Sequence, residues 1–139
     1  MANIAVQPII LNDVALTVAA DNYEAHVSEV SFTPSSSTVN WKGLTPASVF
    51  SFGTSSTWTA TLAYAQDWST TNSLSRYLFE NEGKSVTMTF KPKKPATGTA
   101  PTWTATVIVA PGSIGGAVDT VATASVTLGV QGKPALATA

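Results

Sequence analysis

With 139 residues, the chain has length for one domain core and too little for two. Charged residues make up 11% of it, against roughly 25% in an average soluble domain, and the net charge is −1. That balance offers no field to attract nucleic acid, anionic lipid or a strongly charged substrate. The absence of cysteine excludes a disulfide framework and a thiolate metal site.

Apolar residues reach 44%, and the place of the missing charge is taken by 36 Ser and Thr residues. Many of these alternate with apolar residues, and branched Thr suits a pleated surface, so β-structure is favoured over disorder. The apolar stretch from Ile4 to Ala20 has no Lys or Arg before it and is broken by Asn12 and Asp13. It therefore reads as mature chain and not as a signal peptide. No stretch approaches the ~18 apolar residues of a membrane-spanning helix, and no membrane partner is expected.

In chain order, Val14 to Val18 reads as a short strand and Tyr23 to Thr33 as a longer one. In the longer one, Tyr23, Ala25 and Val27 share one phase and Val30 and Phe32 the other, which predicts a bulge or a change of sheet environment at Ser28 and Glu29. Thr38 to Lys42 predicts the next strand, and Gly43 to Ser56 a long loop that carries Leu44, Val49, Phe50 and Phe52. Loops with large apolar side chains usually pack against something.

Thr57 to Leu62 and Thr102 to Val107 resemble each other: Trp58, Ala60, Leu62 and Tyr64, and likewise Trp103, Ala105, Val107 and Val109, oppose threonines. They are read as strands with one packed and one hydroxyl face, whether duplicated or merely in equivalent places. Between them a helix is predicted over about 71–82, with Leu74, Tyr77 and Leu78 as its buried stripe, Ser69, Thr70 and Asn72 as candidate caps and Gly83 to end it. Lys84 to Lys91 is a strand with Val86, Met88 and Phe90 inward and Thr87 and Thr89 outward. A proline-bounded loop, Pro92 to Pro101, follows, and the last strand is Val121 to Val130. The sum is a single mainly β domain over 1–139, an antiparallel sandwich or barrel with one flanking helix.

Chemistry-bearing patterns are sparse. The lone histidine, His26, lies mid-strand, and no serine sits in a nucleophile elbow. Asp67, Glu80 and Glu82 are placed as helix-end carboxylates, and Gly112 to Gly116 lacks the Lys-Ser/Thr of a phosphate loop. Lys91, Lys93 and Lys94 form the one basic cluster and read as a solvated strand end. No enzyme activity, cofactor or metal is expected. With four tryptophans, a carbohydrate-binding or adhesive sandwich is an alternative, with Trp41 and Trp68 as its free aromatic faces because Trp58 and Trp103 follow the core period.

A surface this poor in charge risks association through strand edges and flat hydroxyl faces, and self-association as a purpose resolves the risk. The run Trp58 to Tyr64, Asp67-Trp68, Leu74, Tyr77-Leu78, Gly83, Val86 to Pro92 and Trp103 to Gly112 resembles, in order and spacing, the major tail tube proteins of long-tailed (siphovirus-type) bacteriophages. The resemblance covers about the C-terminal three fifths of the chain. It implies hexameric rings that stack into a hollow tube for DNA, assembled in the host cytoplasm and located in the virion tail, with tape-measure and terminator proteins as further partners. It makes Leu44, Val49, Phe50 and Phe52 the self-assembly loop and Thr87 and Thr89 the expected lumen face. No appended decoration domain is expected after Gly132, so the tube would be smooth. Another phage component, such as a decoration or tail-terminator protein, fits the same composition.

Overall fold

The computed structural model of the chain describes residues 2–6, 8–92 and 101–137. Nine strands and one helix form among them: β1 Ala15–Val18, β2 Asp21–Asn22, β3 Val27–Ser35, β4 Thr38–Lys42, β5 Val49–Gly53, β6 Thr57–Ala65, α1 Leu74–Glu80, β7 Ser85–Lys91, β8 Thr102–Ile108 and β9 Thr123–Ala137. Seven strands make one antiparallel sheet in the order β2-β1-β7-β8-β9-β6-β3, and β4 and β5 make a separate hairpin. The fold is thus mainly β with one helix, as the alternation of apolar and hydroxyl residues predicts.

The seven-stranded sheet curls until its two halves face each other as layers do in a sandwich. Phe32 on β3 lies 6.2 Å, ring to ring, from Phe90 on β7, although three strands separate β3 from β7 in the sheet. The layers enclose Leu16, Val18, Leu62, Met88, Val107, Val126 and Leu128. Each fully buried aliphatic side chain contributes about 1.5–3 kcal/mol to holding the layers together. Alternation ties this core to the surface: in β6, Ala60, Leu62 and Tyr64 point inward and Thr59, Thr61 and Ala63 outward.

The expected irregularity in β3 is a bulge. Val27 pairs with Tyr64, Glu29 with Ala63 and Val30 with Leu62, so one extra residue enters beside Ser28. The insertion returns Val27 to the phase of Val30 and Phe32, and all three pack on the core. The resembling segments become β6 and β8, which run in the same direction on either side of β9.

Four expected boundaries need correction. The first half of the segment from Tyr23 is a turn, closed by the amide of His26 donating to the Tyr23 carbonyl at 2.9 Å, and β3 proper starts at Val27. The helix spans Leu74–Glu80 and not 71–82, because Ser73 caps it: its Oγ accepts from the Arg76 amide at 3.5 Å while Asn72 takes a left-handed φ of 63°. The stretch 43–56 is not one loop, since Val49–Gly53 is the strand β5. The last strand continues past Val130 to Ala137, with a kink where Gly132 adopts φ 81° and the register with β8 shifts between Thr104 and Thr106. Residues 93–100 of the proline-bounded loop, with Lys93 and Lys94, lie outside the described residues.

Candidate self-assembly surfaces

Residues Thr38–Lys42 and Val49–Gly53 pair over five positions, and every residue of both strands is exposed. The hairpin forms because Val39, Trp41, Phe50 and Phe52 alternate with Thr38, Asn40 and Ser51, and because Val39 is opposite Phe52 and Trp41 opposite Phe50. Four large side chains therefore share one face, each 51–59% exposed, with the Trp41 and Phe50 rings 6.0 Å apart. On the other face Ser51 Oγ donates to Asn40 Oδ1 at 2.6 Å.

Both ends of the hairpin are pinned by hydrogen bonds. At its base the Thr54 amide donates to the Ser37 carbonyl at 2.8 Å and the Ser37 amide to Thr54 Oγ1 at 3.0 Å. At its tip the Gly43 amide donates to the Ser48 carbonyl at 2.6 Å, and Leu44 is fully exposed. Of the expected self-assembly residues, Phe50 and Phe52 are together on the apolar face, Val49 faces the opposite side and Leu44 sits at the tip. Sequence reading missed Val39 and Trp41 as their partners, a pairing that period-two alternation on both sides of Gly43 to Ser48 would have revealed.

The second surface is the convex side of the large sheet. Thr87 pairs with Thr106 and Thr89 with Thr104 across β7 and β8, while Thr17 pairs with Thr89 at the β1 side. Thr61 stands between Thr127 and Ser31 across β9, β6 and β3. A field of hydroxyls thus crosses the sheet; Lys133 of β9, exposed between Gln131 and Ala135, stands within it, and Glu29 in the β3 bulge and Lys91 at the end of β7 mark its margins. Met88, between Thr87 and Thr89, points the other way into the core that Leu74 and Leu78 of α1 also enter. The two threonines therefore lie on the side away from the helix, as their alternation predicts.

The third surface surrounds the helix. Asp67 organises it: its Oδ1 accepts from the amides of Ser69 at 3.0 Å and Thr70 at 3.1 Å, and the Thr70 hydroxyl and these amides hold its carboxyl below the ordinary carboxylate range. Trp68, 38% exposed, and Phe79, 55% exposed, meet edge to face at 6.1 Å. Gln66 bonds Gly115 in both directions, at 2.8 and 3.0 Å, and its Oε1 also accepts from Trp68 Nε1 at 3.1 Å. The exposed Ile114 directly precedes the Gly115 that Gln66 holds. Trp41 and Trp68, the two free aromatic faces expected from the sequence, are both exposed but belong to different surfaces; Trp58 and Trp103 are half-buried.

His26 meets Tyr23 edge to face at 5.6 Å, and its backbone carbonyl accepts from the Ala65 amide. Among the described residues no three His, Asp or Glu side chains gather as metal ligands would, and no helix is long and apolar enough to cross a membrane. Compared with protein-family models and with curated proteins, the chain matches none.

Proposed function

We propose that this chain is a structural subunit of a phage-type tail tube, which polymerises into stacked rings around a bore for DNA. The observation that carries the reading is the β4–β5 hairpin, whose four large apolar side chains face solvent on an arm away from the core. A monomer gains nothing from such a face, whereas a polymer buries it in every copy but the terminal ones. The hydroxyl field around Thr87 and Thr89, with Lys133 as the one lysine inside it among the described residues, supports the same reading from another direction. A conduit wall lined with Thr offers DNA phosphates no cation to bind, and each lysine there would add a salt-sensitive contact.

On this reading the partners are further copies, with tape-measure and terminator proteins at the ends of the stack, and the location is the virion tail. The Thr87 and Thr89 face lines the bore. Sedimentation of the purified chain tests the role of the arm. The wild type forms large species as concentration rises, and Phe50→Asp, which charges an already exposed position, stays monomeric with its thermal transition unchanged. Equal sedimentation of the two proteins would contradict the assignment.

A further inference from the structure

The hairpin and the aromatic surface around α1 occupy opposite ends of the molecule. The hairpin leaves the sheet at Ser35 and returns at Thr57, where β6 begins. Trp68 and the Gly115 loop are anchored where β6 ends: the Gln66 amide donates to the Ala122 carbonyl at 2.9 Å, and Ala65 pairs with Thr123. The nine residues of β6 separate the two places, which at about 3.3 Å per residue is roughly 26 Å.

We infer that the Trp68–Phe79–Ile114 surface is the receiver for the hairpin of a second copy, so that copies join head to tail along the direction of β6. This inference rests on the tube-subunit reading and assigns the contact that would join successive copies. Three observations support this occupant. Among the described residues, both surfaces are apolar, aromatic and exposed. Their placement at opposite ends makes the contact heterologous, which propagates instead of closing as a two-fold pair would. Their charges also complement: Lys42 is the one charged residue of the hairpin, and the receiving end carries Asp67, Glu80, Glu82 and Asp119 against Arg76 and Lys84.

A competing receiver is the groove of about 530 Å³ lined by Val30, Phe32, Trp58, Phe90 and Trp103. It opens at the end from which the hairpin itself springs, and Ile9 and Leu11 of the same chain already line it.

The cysteine-free sequence permits a direct test. Phe50→Cys is mixed with Phe79→Cys, and separately with Leu11→Cys in the groove; each mixture is oxidised under assembly conditions and examined on denaturing gels and in the electron microscope. The 50–79 disulfide is expected to exceed the 50–11 and 50–50 disulfides at least severalfold. Lys42→Glu is expected to raise the concentration needed for assembly at low salt, with the difference shrinking at high salt. Rods in which Phe50→Cys joins Leu11→Cys or another Phe50→Cys overturn the receiver assignment and leave the tube reading standing. A wild-type chain that stays monomeric under every condition overturns both, whereas wild-type rods lost in Phe50→Cys or Phe79→Cys support the contact, because each variant truncates one side of it.

Discussion

At the scale of single residues, the structure is organised by side chains that join distant parts of the sequence. Tyr23 is buried against Tyr77 of the helix, ring to ring at 6.2 Å, and its hydroxyl donates to the Asn72 carbonyl at 3.0 Å. Burial first, and then the charge of Asp21, pushes this phenol up to about 12, whereas an unfolded tyrosine ionises near pH ~10. The folded form therefore holds the proton more tightly than the unfolded chain. The stability linked to Tyr23 is complete below pH ~10 and is lost as pH climbs towards 12. Thermal melts across this alkaline range are expected to fall steeply for the wild type and less steeply for Tyr23→Phe, which cannot ionise. Tyr23→Phe also loses the bond to Asn72, at about 1 kcal/mol under neutral conditions. Gly112 shows what a single sequence conceals: as part of a glycine-rich stretch it reads as a flexible connector. In the fold, a Cβ there would collide with Tyr64 Oη, so the residue is small because a buried phenol from β6 occupies the space. That partner is 48 positions away, and no local pattern reports it.

At the scale of elements, local alternation identified most of the sheet, and tertiary context set the ends. The hydroxyl and apolar faces of β6, β7 and β8, the bulge at Ser28 and Glu29 and the stripe Leu74, Tyr77 and Leu78 were legible because period and phase encode which side is buried. The strand β5 was hidden because Gly53 at its end and Ser55 and Ser56 beyond it carry turn propensity, while its partner β4 is a neighbour across a tip with Pro46 and Gly43. The end of β9 was obscured by Gly132 and Pro134, residues that normally stop a strand and here make a kink within one. A two-stranded ribbon without a third strand or a covering layer is only marginally stable in water. Amide hydrogen exchange in the monomer is therefore expected to be fast across Thr38–Gly53 and slow across β6 and β9, with the hairpin gaining protection on assembly. Equally slow exchange in the monomeric hairpin would show that the arm needs no partner.

At the scale of the whole molecule, the proposed tube subunit would put sparse charge to two separate uses. The hairpin and the aromatic surface near α1 are apolar at opposite ends, suited to joining copies, while the convex side of the sheet is rich in hydroxyls and poor in charge, suited to a bore. Composition and alternation pointed to apolar and hydroxyl surfaces, yet which residues stand together depended on pairings such as Trp41 with Phe50 and Thr87 with Thr106. If the Thr87 side lines the bore, Thr87→Lys and Thr89→Lys are expected to leave assembly intact and to make the assembled protein retain DNA at low salt. That retention should weaken by about one counterion's worth per added lysine as salt rises. Binding no stronger than the wild type would place these threonines elsewhere. The central claim is that the chain alone carries what is needed to form a hollow tube, and electron microscopy of the purified wild-type protein at rising concentration addresses it directly. Rods of uniform width with a central bore are the predicted result, and discrete monomers at the highest concentration would contradict it.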